Sequence, residues 1–262
     1  MDTTTFVSAT GVDLLGVLGS VLWHALRIGA AFQVLPPIAG RSMPARVRLM
    51  LTLVMAAALA TWLPAPPPAA IDASTVTNIV REFVIGIALG MLVRMAFEAG
   101  RLAGELIAQG MGLSFATLAD PASGSSSSVL SQWFWLIFGL LFFATNAHLV
   151  FFELLIDSYR TVPIGTTLPD MYGVLASIPA FFALCLKAGV LLALPVMSAL
   201  LAINLSFGVL GKAAPSLNPI AIGMPVALLT GLLLLVVLSS RLQAPVQAIF
   251  DQALMAARGL LG

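Results

Sequence analysis

Between Met171 and Ser240 the chain carries two formal charges, Lys187 and Lys212, and no acidic group. A run that long and that poor in charge cannot be covered by polar side chains, so it must lie against lipid or other apolar protein. The rest of the chain agrees. Of its 262 residues 60% are hydrophobic and 9% charged, against about 45–50% and about 25% in soluble domains, and the mean hydropathy is +1.06. A water-soluble globule is excluded, and a polytopic, all-α integral membrane protein is expected. Net charge is +1, which offers no basic field to nucleic acid. Cys185 is the single cysteine, so neither an internal disulfide nor a cysteine-cluster metal site is expected. Arg27, the first basic residue, follows the first apolar run, which does not fit a secretory signal.

A bilayer core of about 30 Å needs about 20 apolar residues in a helix. Phe6 to Leu26 meets that length despite Asp13. Leu49 to Leu63 is shorter and runs into Pro64-Ala65-Pro66-Pro67-Pro68, a stiff spacer that cannot continue a helix. From Ser74, an expected helix N-cap, a helical pattern carries Arg81, Glu82, Arg94, Glu98, Arg101 and Glu105. That is too many charges for lipid on all sides, so part of the helix faces protein or water. Gly112 to Ser128 reads as a loop, with a turn at Asp120-Pro121 and a run of serines after Gly124. Val129 to Phe152 is uncharged and reads as the clearest single span. Met171 to Gly211 suffices for two spans or a hairpin bent at Pro195, and Ala213 to Ser240 adds another. Arg241 to Gly262 reads as an amphipathic helix. The sum is about six apolar helices in hairpins. The connection from Arg27 to Arg48 holds four arginines and no acid, which places it in the cytoplasm and the N-terminus outside.

Motifs of hydrolases, nucleotide-binding loops and zinc proteases are missing from the sequence. His148, beside Asn146, and Lys187 lie in apolar runs and read as buried polar groups that join helices or pair with protein. Gly86 and Gly90, then Ala96, Gly100, Gly104, Ala108 and Gly112, stand at four-residue steps and lay a smooth stripe along one helix. The stripe serves close packing, either within the chain or in an assembly of several. Gly110-Met111-Gly112-Leu113-Ser114-Phe115-Ala116 alternates flexible and bulky residues. It reads either as a helix end with a hydrophobic contact or as a deformable apolar seal, since such constrictions close pores by dewetting.

Several short strings fall in a familiar order. They include Arg27-Ile28-Gly29 with Pro36-Pro37, Arg41 to Arg48, Gly112-Leu113-Ser114-Phe115-Ala116, Asp120-Pro121 and Asn146-Ala147-His148. Asp157-Ser158-Tyr159 with Pro163-Ile164-Gly165, Asn204 with Phe207-Gly208, and Ala214 to Pro219 continue the series. Spread over nearly the whole chain, they closely resemble the FliR/SpaR-type export-gate family, and its flagellar FliR branch more than the injectisome branch. The resemblance implies a non-enzymatic subunit without a cofactor, one copy joining several FliP and FliQ chains in a closed, right-handed helical pore of the flagellar type III export gate. It implies a bacterial inner-membrane, basal-body location, FlhA and FlhB as further partners, and unfolded export substrates passing through. It divides the chain into a FliP-like part, 1–165, and a FliQ-like part, 166–262, with hairpins largely lifted out of the membrane plane. The pore plug maps onto about 110–123, which makes Gly110, Met111, Gly112, Leu113 and Phe115 gate candidates.

Other function classes fit the sequence less well. A secondary transporter would carry inverted repeats and midplane carboxylates, and a lipid-modifying enzyme would carry a nucleophile or metal constellation.

Overall fold

The computed structural model describes residues 14–40, 43–63, 73–113, 128–165, 171–214 and 219–261. The proline spacer after Leu63, the turn at Asp120-Pro121 and Phe115 lie outside these residues. The described residues form helices and connecting turns, without a strand: α1 (Leu14–Val34), α2 (Pro36–Ala39), α3 (Ala45–Ala60), α4 (Ala73–Gly110), α5 (Val129–Ala144), α6 (Ala147–Thr161), α7 (Met171–Ala213), α8 (Pro219–Ser239) and α9 (Gln243–Gly259). Four of them are long and apolar enough to cross a membrane, within Gly16–Val34, Ser74–Gly110, Ile178–Ala213 and Ile222–Ser239, and the broken pair α5 and α6 would make a fifth. The expected count of six is not reached among these residues.

Two differences from the sequence reading explain the count. Val129 to Phe152 is not one straight span: α5 stops at Ala144 and α6 starts at Ala147. Asn146 between them has φ 59°, the left-handed region that asparagine tolerates better than most residues. Conversely, Met171 to Ala213 is one helix through Pro195 rather than two spans or a hairpin. Proline lacks the N–H that would bond the Leu191 carbonyl four residues back, a loss that apolar helices in membrane proteins tolerate.

The chain divides into two compact units, one of Met1–Arg94, His148–Pro179 and Ala253–Gly262, the other of Met95–Ala147 and Ala180–Gln252. In the first, α1 packs on α3, where Gly29 faces Thr52. Its centre is polar. Arg27 and Glu82 are both wholly buried, and the guanidinium uses all five of its N–H groups. Nε donates to Glu82 Oε2 at 2.8 Å, and Nη2 to Glu82 Oε1 at 3.0 Å. Nη2 also reaches the Val162 carbonyl at 2.9 Å. Nη1 donates to the Ser158 carbonyl at 2.7 Å and to its hydroxyl at 3.0 Å. The guanidinium carbon stands 4.2 Å from the centroid of the Tyr159 ring, whose hydroxyl donates to the His24 carbonyl at 2.7 Å. One arginine thus ties α1 to α4 and to the C-terminal end of α6.

This arrangement corrects the placement of the first helix. Arg27 is not part of a cytoplasmic connection that ends an apolar run at Leu26; α1 continues to Val34 because the charge is neutralised inside the protein. The basic count of the following connection loses one arginine accordingly.

In the second unit the core is aromatic. Phe97 of α4 lies 5.7 Å from Phe142, 6.5 Å from Phe138 and 5.2 Å from Phe250, ring centroid to centroid. Tilted and edge-on pairs at such distances add about 0.5–1.5 kcal/mol each beyond their buried area. Phe250 belongs to α9, whose buried residues Val246, Ile249, Phe250, Ala253, Leu254 and Ala257 follow helical spacing. The tail is therefore the amphipathic helix expected.

Removing one member of a buried ion pair strands the other and costs about 3–5 kcal/mol, whereas replacing both with apolar residues of similar volume is often neutral. Arg27→Ala and Glu82→Ala should each sharply lower the thermal unfolding midpoint in detergent. The double change Arg27→Met with Glu82→Leu should lose less than either single variant. A double variant as unstable as the singles would show that the charges, and not the filled space, hold this unit.

Candidate functional site

Helix α4 runs through both units and carries the glycine stripe. In the first unit Gly86 and Gly90 face α1. A Cβ on Gly90 would stand 2.7 Å from the Ala31 carbonyl oxygen, and one on Gly86 would collide with the Arg27 carbonyl and lie 2.9 Å from Ala30 Cβ. In the second unit a Cβ on Gly100 would stand 2.6 Å from the Phe138 ring, and one on Gly104 would stand 2.6 Å from the Leu130 carbonyl oxygen. Ala96 and Ala108 on the same stripe are fully buried. The contacts at these four glycines are made inside the chain. Around Gly104 the seam with α5 is closed by hydrogen bonds. The Ser131 hydroxyl donates to the Arg101 carbonyl at 3.1 Å. The Ser128 N–H donates to Glu105 Oε2 at 3.3 Å, and the Ser128 hydroxyl accepts from the Ser131 N–H as the N-cap of α5.

At its C-terminus α4 ends in a Schellman turn. Gly112 has φ 77°, a conformation that glycine adopts without strain. Its N–H donates to the Gln109 carbonyl and the Leu113 N–H to the Ala108 carbonyl, both at 3.0 Å, the bond pair that defines the motif. A Cβ on Gly110 would stand 3.1 Å from Leu200 Cδ1 of α7. The Gly110 carbonyl accepts from Asn204 Nδ2 at 3.3 Å.

The gate candidates are placed unequally. Met111 is 2% exposed and lies over Gly231 of α8, its Cγ 2.6 Å from where a Cβ on that glycine would be. Leu113 is half-buried, and Phe115 is outside the described residues. The Schellman turn directs Met111 back against α8.

Asn146 and Lys187 are exposed and His148 is half-buried, so the chain by itself buries neither Asn146 nor Lys187. Asn146 serves its backbone conformation at the break between α5 and α6, and Lys187 lies on a face of α7 that this chain leaves uncovered. Among the described residues the fully buried charges are Arg27 and Glu82. Their signal in the sequence is the one arginine of the apolar helix α1 and one carboxylate of the charged helix α4, each without an opposite charge three or four residues away on its own helix. Among the described residues no group of three or more His, Cys, Asp or Glu converges as a metal site would require.

Residues 18–253 match the family described as Bacterial export proteins, family 1. The chain belongs to that family. It is 37% identical over 88% of its length, and 88% of the relative's, to the flagellar biosynthetic protein FliR of Escherichia coli strain K12. It is 32% identical to the FliR of Pectobacterium carotovorum over 85% of each chain. The FliR of Bacillus subtilis strain 168 is 25% identical over 95% of this chain and 97% of its own. These matches bear out the resemblance read from the sequence. The protein is an all-α membrane protein and a non-enzymatic component of the flagellar export apparatus.

Exchange of glycine for alanine inside a helix normally stabilises it by about 0.5–1 kcal/mol. Here the sign should reverse wherever the neighbour is backbone. Gly90→Ala and Gly104→Ala should each destabilise the chain by about 1–3 kcal/mol, while Gly19→Ala, with nothing within 4 Å of its Cβ, should be neutral or stabilising. Unfolding midpoints of the three variants in one detergent check this, and equal effects at all three would remove close packing as the reason for the stripe.

Proposed function

We propose that this chain is a single-copy subunit of the flagellar type III export gate, assembling with FliP- and FliQ-type chains into a closed pore in the bacterial inner membrane at the flagellar basal body. In this reading residues 1–165 play the FliP-like part and 166–262 the FliQ-like part, FlhA- and FlhB-type proteins adjoin the assembly, and unfolded substrates cross it.

The observation that carries the reading is the height of the uncovered apolar surface on α7. Exposed apolar side chains recur from Phe182 to Leu210, about 42 Å along a helix rising ~1.5 Å per residue, against ~30 Å of hydrocarbon. Fitting that surface into the bilayer by tilt alone takes about 45°, past the ~40° upper end for membrane helices. Part of it therefore needs a covering other than lipid, and neighbouring protein chains supply one. A solute transporter is disfavoured by the one fully buried carboxylate among the described residues, since both oxygens of Glu82 are taken by Arg27.

The gate is assigned to the segment that opens with Gly110, Met111, Gly112, Leu113 and Phe115. Its glycines let the backbone bend, and its bulky apolar residues can exclude water and ions while yielding to a passing chain.

Two measurements test the proposal. A tagged chain captured from mild detergent should bring down FliP- and FliQ-type proteins in amounts above its own, and recovery as a lone stable monomer would overturn the assembly. Changing Leu113 and Phe115 to Ala should raise passive ion permeability in cells carrying an assembled complex. Normal assembly with unchanged permeability would remove the gate assignment, and lost assembly would make the segment a structural cap.

A further inference from the structure

The last carbonyls of a helix have no partner within it and must find donors elsewhere. At the end of α4 the chain's own turn supplies three. The Ile107, Ala108 and Gln109 carbonyls accept from the N–H groups of Met111, Leu113 and Gly112 at 3.0 Å each. The fourth, on Gly110, accepts from the side-chain amide of Asn204, 94 residues further along on α7. The next residue, Met111, is buried against α8, with its Cγ, Sδ and Cε all within 2.8 Å of the space a Cβ on Gly231 would occupy. Only a residue without a side chain allows Met111 to lie there. Both helices of the α7–α8 pair thus grip the residues at the head of the gate segment, one by a polar contact and one by an apolar contact.

We infer that Asn204 and Gly231 form a latch that holds the Gly110–Leu113 turn in the closed position, so that opening requires Met111 to leave Gly231 and the Gly110 carbonyl to leave Asn204. The inference rests on the gate reading above and adds to it the residues that position the gate. Asn204 is exposed in this chain, so its amide can exchange the carbonyl for water when the turn moves. Met111, unbranched and flexible, can leave its seat without a change in α8.

A reversible cross-link tests the latch. Met111 Cγ lies 2.6 Å from the ideal Cβ position at Gly231, so the two Cβ atoms would be at most about 4.1 Å apart, within the ~3.5–4.5 Å that disulfides span. In cells carrying the full export apparatus, Met111→Cys with Gly231→Cys, in a Cys185→Ala background, should cross-link on mild oxidation. The complex should remain assembled and substrate export should fall at least tenfold, returning on reduction. Each single cysteine variant, whatever its own level of export, should change by less than about twofold between oxidising and reducing conditions, so that the loss in the pair is due to the cross-link. Separately, Asn204→Asp, which removes the donor and sets a negative charge beside the carbonyl, should raise passive ion permeability at least threefold at unchanged complex yield, with Asn204→Gln intermediate.

Failure of the pair to cross-link in the assembled complex would overturn the contact itself. Full cross-linking with normal export would overturn the latch. If the alanine changes at Leu113 and Phe115 leave the complex tight, the gate reading fails by itself. If they leak while Asn204→Asp stays tight and the oxidised pair exports normally, only the latch falls.

Discussion

The guanidinium of Arg27 decides what the first unit of this protein can be. It is fully buried, it has five donors, and each finds an acceptor on α4 or α6 or in the residues that follow α6. Desolvating such a charge is tolerable only when pairing and hydrogen bonding are complete, so the geometry of three chain segments is fixed together. A lysine keeps the charge but has three donors and no fork, and it would leave carbonyls at Ser158 or Val162 without their partner. The face-on Tyr159 ring and its bond to the His24 carbonyl extend the same constraint back to α1.

The second unit is held differently. Phe97, Phe138, Phe142 and Phe250 fill its centre, and α4 approaches its neighbours at glycine. Gly104 lets it come close to α5, and Gly189 of α7 does the same from the other side, where a Cβ would stand 2.6 Å from the Ala99 carbonyl. A polar, directional centre in one unit and an apolar, shape-filling centre in the other are joined by the continuous helix α4. The surface left over is strongly apolar on α7 and α8, which suits a chain finished by lipid and by other subunits of an export apparatus.

The helical class, the membrane environment and the amphipathic tail were legible in composition and periodicity, because burial of apolar surface dominates their energetics. Boundaries were less so wherever a polar group is satisfied inside the protein. Arg27 reads as the end of a span until Glu82 is known to face it across 55 residues, and no local rule connects the two. Val129 to Phe152 reads as one helix because hydropathy does not register the positive φ of Asn146. The stripe at Gly86, Gly90, Gly100 and Gly104 was visible as a pattern, but spacing does not say which neighbour it receives, and α1 and α5 of the same chain turned out to be those neighbours. At the head of the gate segment the glycines and bulky residues were legible and the role of Met111 was not, since the seat on Gly231 is set by a contact 120 residues away in sequence.

The glycine crossings share one further property. At Gly86, Gly90, Gly104 and Gly189 the atom nearest the missing Cβ is in every case a main-chain carbonyl oxygen, of Arg27, Ala31, Leu130 and Ala99. In each glycine that direction is taken by an α-hydrogen, polarised by the flanking peptide groups. The four crossings therefore present Cα–H donors to carbonyl lone pairs that helical N–H groups leave free, an interaction of about 0.5–1 kcal/mol each. Where no water reaches the backbone, an alanine would withdraw that donor as well as crowd the seam. Glycine at these positions is thus a functional group of the backbone, supplying a weak acid beside the ion pair and hydrogen bonds that join the same helices.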